Sequence, residues 1–213
     1  MGVRDICPSF TATPAGQGCY RDLAGAYHYA ADTTSITPNF QLTEFSVTEH
    51  CRPYGIMLKL AQGLQAMRTA LGVPVEITSG YRNPPAGECG HDGTVDDAWT
   101  EPHADGLAAD INVPGKTYVE VAQAAHDAGF ERIEVIKDPG QSFTDQMSAA
   151  SHVHVDVYDG SGNTTAGTMY DSPASGEVPL FPWYAYGDTS QNGDYTTSDP
   201  NTWTQLLSDL NSH

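Results

Sequence analysis

Three residues stand out for the chemistry their types allow: His103, Asp110 and His154. Zinc hydrolases bind their ion through three His, Asp or Glu side chains and keep a fourth position for water, whose pKa the metal lowers to about 7. His103 precedes a segment, Gly106 to Val113, in which Leu107, Ala109, Ile111 and Val113 alternate with Ala108, Asp110 and Asn112. That alternation predicts a strand with Asp110 on its polar face. In Ser151–Tyr158 the two-residue period is unbroken, with valines 153, 155 and 157 on one face and His152, His154 and Asp156 on the other. Pairing these two strands side by side would turn His103, Asp110 and His154 toward one another. His-x6-Asp is a weak motif by itself, and isolated surface residues remain an open alternative at this point.

Other elements must carry these strands. Ile56, Leu60, Leu64, Met67 and Leu71 recur at three- and four-residue spacing and stop at Gly72, which predicts an amphipathic helix, entered from about Pro53, with a glycine C-cap. Val73, Val75 and Ile77 then alternate into Ser79-Gly80-Tyr81, a short strand that delivers Arg82 to a loop. Thr117 stands three residues before Glu120 in a capping-box arrangement, so a second helix through Val121, Ala122 and Ala125 is expected to end at Gly129. Ile133 and Val135 mark a further strand. Residues 1–37 show no sustained periodicity and read as an irregular arm. After Tyr158 the chain turns to Gly, Ser, Thr and Asp, with an aromatic cluster at Phe181, Trp183, Tyr184 and Tyr186. A short terminal helix from Asp199 would bury Trp203, Leu206, Leu207 and Leu210, either on its own domain or on a partner.

The 213 residues suffice for one hydrophobic core with extensions, since domains commonly run ~100–150 residues. Nine basic residues against 27 acidic ones give a formal net charge of -18, which repels phosphate backbones and excludes nucleic-acid binding. No stretch approaches the ~20 apolar residues of a membrane span, and the start, Met1 to Asp5, lacks the apolar core of a signal peptide. Cys7, Cys19, Cys51 and Cys89 allow three pairings and show no zinc-ribbon spacing. Their loop-rich contexts suit at least one disulfide, and four separate buried thiols is the competing reading.

Four ordered segments carry a family resemblance: Pro38-Asn39-Phe40-Gln41-Leu42-Thr43-Glu44-Phe45, Ile77-Thr78-Ser79-Gly80-Tyr81-Arg82-Asn83, His103 through Ile111, and His152-Val153-His154-Val155-Asp156. Together they resemble the M15 family of zinc peptidases, which includes D-alanyl-D-alanine carboxypeptidases, related dipeptidases and phage endolysins that cut peptidoglycan peptides. The resemblance spans about residues 38–158. It implies one zinc per chain held by His103, Asp110 and His154. It also implies a role for Arg82 in holding a substrate carboxylate or polarising the scissile carbonyl, beside Ser79 and Tyr81 as substrate-binding residues. A guanidinium suits that role through its planar donors and permanent charge. Many members carry Glu or Asp three positions before the last histidine ligand, where Ser151 stands here. This chain therefore resembles the branch with a His-x-His pair, in which His152 would polarise the attacking water or protonate the leaving amine. A further departure is the long acidic loop from Pro84 to Thr100; Asp92, Asp96, Asp97 and Glu101 shape substrate choice, bind a cation or are simply solvated. His28, His50, His91, His126 and His213 match no motif.

The expectation is an α+β fold, an antiparallel sheet with helices packed on one side, similar to D,D-peptidases and the hedgehog signalling domain. An arm over residues 1–37, a peptidase domain over 38–158 and an acidic extension over 159–213 would make up the chain. The function implied is zinc-dependent hydrolysis of an amide bond in peptidoglycan stem peptides or cross-links, as a D,D-carboxypeptidase or endopeptidase. Extended acidic segments suit a virion-associated or cell-wall-directed setting, with tail proteins as partners of the C-terminal extension. A catalytically silent tail or baseplate component, or a binding module that keeps the fold, is the alternative.

Overall fold

β9 (His152–Asp156) sits at the centre of the principal sheet, and its alternating sequence explains why. Val153 and Val155, with Val157 just beyond, are buried on one face, so a strand flanked on both sides satisfies its backbone while helices cover the valines. In the computed structural model, residues 16–46, 55–81, 103, 106–130, 132–137, 141–149, 151–157 and 178–179 are described. Arg82, the acidic loop of residues 84–100 and the terminal helix expected from Asp199 lie outside them.

The sheet has the order β10–β8–β9–β7–β6, every neighbouring pair antiparallel. Its strands are β6 (Glu76–Ser79), β7 (Ala108–Asn112), β8 (Arg132–Lys137), β9 and β10 (Val178–Pro179). Helix α2 (Tyr118–Asp127) packs on β8 and β9, and α1 (Leu58–Leu71) packs against α2. Leu60, Leu64 and Met67 of α1 share one core with Val121, Ala122 and Ala125 of α2 and with Ile111, Ile133, Val135, Val153 and Val155 of the sheet. The fold is α+β, as the residue pattern predicts.

Both helices end where their sequences dictate. Gly72 closes α1 in the left-handed conformation (φ 69°), and its N–H bonds the Arg68 carbonyl. Thr117 caps α2 reciprocally with Glu120: each side chain accepts from the other's backbone N–H, at 3.2 and 2.9 Å. α1 begins at Leu58, later than the apolar spacing suggests. Ile56 and Met57 instead form β5, parallel to Tyr20–Arg21, and the Met57 N–H bonds the Gly106 carbonyl at 2.9 Å.

Part of the segment read as an irregular arm is ordered. β1 (Gln17–Arg21) and β2 (Tyr27–Ala31) form an antiparallel hairpin that joins β5, and β3 (Ser35–Thr37) pairs with β4 (Phe40–Gln41). The hairpin turn is held by Asp22, whose Oδ1 accepts from the N–H groups of Ala24 and Ala26 while Oδ2 meets His28 Nε2 at 2.7 Å. Few of its side chains are deeply buried, so no clean apolar alternation marks it in the sequence. Cys19 is the exception: it is fully buried and disulfide-bonded. At the other end, Val178–Pro179 of the acidic extension adds the edge strand beside Ile136 and Lys137.

Candidate metal centre

Cross-strand register assembles the site. β7 and β9 pair so that Asp110 stands opposite His154, and β6 pairs with β7 so that Ser79 stands opposite Asp110. Directly opposed residues on one face of a sheet have Cβ atoms ~4.5–5.5 Å apart, which brings these side chains within bonding reach. On the other side of β9, Glu134 of β8 stands opposite His154. Glu134, His154, Asp110 and Ser79 therefore form a row across four strands.

His103 enters from the segment before β7. Gly106 makes this possible: it adopts φ 70°, its N–H bonds the His103 carbonyl at 3.1 Å, and a Cβ there would lie 2.4 Å from the Gly55 carbonyl oxygen. His103 Nδ1 lies 2.7 Å from the Gly80 carbonyl oxygen. A carbonyl only accepts, so Nδ1 carries the proton and Nε2 presents a lone pair. Gly80 is itself pressed against Phe45, where a Cβ would come 2.6 Å from the Phe45 carbonyl oxygen, and the Tyr81 N–H bonds that oxygen at 2.8 Å. The first motif thus acts by holding the second, and the second by orienting His103.

Three ligand-type atoms converge. His103 Nε2 is 3.2 Å from His154 Nδ1 and 3.3 Å from Asp110 Oδ1, and His154 Nδ1 is 2.9 Å from Asp110 Oδ1. The three residues are 1%, 7% and 4% exposed for His103, His154 and Asp110. Ligand atoms ~2.0–2.1 Å from a tetrahedral zinc lie ~3.3 Å from one another, so the triangle has the size the ion requires. Its chemistry fits too. Two imidazole lone pairs and a carboxylate oxygen facing each other out of water repel unless a cation or a shared proton lies among them. His154 Nε2, on the opposite side of its ring, meets Asp156 Oδ2 at 3.3 Å.

The other candidate residues that the structure describes occupy different surroundings, and Arg82 lies outside the described residues. His152 is half-buried on the same face as His154. Ser79 is half-buried beside Asp110, and Tyr81, at 5% exposure, belongs to the hydrophobic core. Ser151 is buried, and its hydroxyl donates to the Ser148 carbonyl at 2.9 Å, which commits it to the loop entering β9. Asn112, on the polar face of β7, ties down the same loop by donating to the carbonyls of Ser148 and Ser151 at 2.5 and 2.8 Å. Of the histidines without a motif, His28 pairs with Asp22, and His126 with Asp127 at 3.2 Å.

Residues 38–156 match the family Peptidase M15. The chain belongs to this family. No curated protein and no solved structure matches it. The matched stretch holds the whole triangle and begins after the β1–β2 hairpin. M15 members are zinc-dependent peptidases, and His103, Asp110 and His154 could hold such an ion.

Residue reasoning missed Glu134 and the Gly80 carbonyl. For Glu134 a signal existed: Ile133 and Val135 point to the core, so the residue between them must face the ligands. Its position opposite His154 depends on strand order, which the local pattern does not contain.

Proposed function

We propose that this M15 peptidase hydrolyses an amide bond in peptidoglycan stem peptides or cross-links, using zinc held by His103, Asp110 and His154. The observation that carries the reading is the buried triangle of three acceptor atoms, with each histidine's second nitrogen hydrogen-bonded elsewhere. Zinc bound there supplies a Lewis acid and water of lowered pKa, about 7.

The chain's own residues do the rest. His152 projects from β9 on the ligand face, two residues from His154, a separation of ~7 Å along a strand. There its imidazole takes the attacking water's proton and returns it to the leaving amine. Ser151 cannot serve in its place, because its hydroxyl is bonded to Ser148. Ser79, in the row beside Asp110, lies at the β6 edge of the site and contacts the substrate backbone; Tyr81 anchors that strand end in the core. Arg82 follows Tyr81 directly, and its guanidinium holds the substrate carboxylate or the carbonyl oxygen on which charge develops.

The Cys19 disulfide favours work in an oxidising compartment, consistent with a target outside the cytosol. A virion-associated role, with the acidic extension binding tail proteins, completes the reading. The test is digestion of purified peptidoglycan of several wall chemotypes, with sequencing of the released fragments. Specific cleavage within or between stem peptides supports the assignment, and identifies carboxypeptidase or endopeptidase action. Intact wall peptides after incubation with the zinc-loaded protein would overturn it.

A further inference from the structure

The two histidines of the triangle use different nitrogens, and different groups stand behind them. His103 turns Nε2 inward and is pinned through Nδ1 by a neutral backbone carbonyl at 2.7 Å. His154 turns Nδ1 inward, and behind its Nε2 stands the carboxylate of Asp156 at 3.3 Å. Asp156 lies two residues further along β9 on the same face, and it is only 9% exposed.

A buried carboxylate is costly to desolvate, and this one meets an imidazole N–H that it can accept from. An ionised acceptor there fixes the proton on Nε2, leaves Nδ1 as a lone pair and draws electron density toward the inward nitrogen. It also adds a carboxylate to that of Asp110 close to where a divalent cation would sit. The Gly80 carbonyl can fix the tautomer of His103 but adds no charge.

We propose that Asp156 is a positioning residue that tunes the metal affinity of the centre through His154, and that the two histidines are electronically unequal ligands. This rests on the zinc reading above. The arrangement predicts a graded response. Asp156→Asn keeps the size and an acceptor oxygen but removes the charge. Asp156→Ala removes both.

The experiment is competition for zinc between the full-length protein and a chromogenic chelator, for the wild type and both variants. It is paired with the visible absorption spectrum of the cobalt-substituted proteins and with 15N spectra of the histidine rings. Asp156→Ala should raise the zinc Kd by about 10- to 100-fold, the usual weight of an outer partner, with Asp156→Asn in between. The cobalt bands should shift, and in the zinc-bound protein the Nε2 resonance of the ring assigned to His154 should move as its hydrogen bond is lost, while that of His103 is unchanged. Should Asp156→Ala fail to fold, Asp156→Asn carries the test, since a purely structural role would leave its cobalt spectrum unmoved. Variants that bind zinc as the wild type does, with unchanged cobalt spectra, would overturn the inference while leaving the metal site intact. A wild type that binds no zinc would instead overturn the proposed function on which it rests.

Discussion

Gly106 is where backbone geometry and metal-ligand placement meet, and replacing it with alanine separates two costs. The residue sits at φ 70°, where an L side chain is strained by roughly 1–2 kcal/mol. Its Cβ would also lie 2.4 Å from the Gly55 carbonyl oxygen and 2.9 Å from Ile56 Cα. Both atoms are backbone, and Ile56 is held in β5, so neither can swing aside as a side chain would. Forcing them apart adds a typical overpacking cost of about 1–3 kcal/mol. The sum, roughly 2–5 kcal/mol, corresponds to a Tm lower by about 4–20 °C for a chain of this size. Gly115 supplies the control, since it has φ 82° but nothing within 4 Å of its Cβ. Gly115→Ala should therefore cost only the conformational part, about 1–2 kcal/mol. Because the Gly106 N–H bonds the His103 carbonyl, Gly106→Ala should also weaken zinc binding, whereas Gly115→Ala should not. Thermal melts and chelator competition on both variants decide the matter. Equal melting temperatures for the two, or a Gly106→Ala protein with native zinc affinity, would refute the reasoning.

His152→Ala should keep one zinc and near-native stability while kcat falls by about a hundred- to ten-thousandfold, as measured on a defined wall peptide. Retained activity would pass the proton-transfer role to a carboxylate, with Glu134, opposite His154, and Asp156 the first to test. Arg82→Ala should leave Tm nearly unchanged and lower kcat/KM by about a hundredfold or more; equal losses of stability and activity would make it a structural residue. Glu120 is held below the usual glutamate range by accepting the Thr117 N–H, with Lys116 assisting. A lowered folded-state pKa means that its stabilisation is complete above about pH 4.3, the usual glutamate value, and is lost as pH falls through the lower folded value. Urea titrations of wild type and Glu120→Gln should accordingly differ near neutrality and draw together as pH falls through the folded value. Thr117→Ala, which loses only the hydroxyl that accepts the Glu120 N–H, should instead cost about 1 kcal/mol at every pH, with zinc content unaffected in both.

The parts of the site that are local in sequence are legible there. β9 reads from its valines, α1 from its apolar spacing and Gly72, and α2 from Thr117 and Glu120, because in each case the signal lies within one short continuous stretch of sequence. Asp110 and His154 can be assigned to polar faces for the same reason. Their direct opposition is another kind of fact, since register is a relation between strands 44 residues apart and leaves no local trace. The same holds for Glu134 and for the Gly80 carbonyl, whose value lies in where a backbone atom ends up. The β1–β2 hairpin escapes notice because its strands are half-exposed and its turn combines the Asp22 side chain with Gly25 at φ 84°, a longer connection than the two-residue dipeptides that mark hairpins most plainly. α1 is misread at its start because the apolar residue Ile56 fits the helical spacing yet is taken by the parallel pairing with β1.

Metal analysis tests the central claim most directly. Protein purified without added zinc should contain about one equivalent per chain, and His103→Ala should lose it, because two ligands cannot hold a site built for three. The wild-type content should also fall on acidification, since histidine ligates only when neutral. A wild type that takes up no zinc even on dialysis against it, or a His103→Ala variant with unchanged content, would contradict the account.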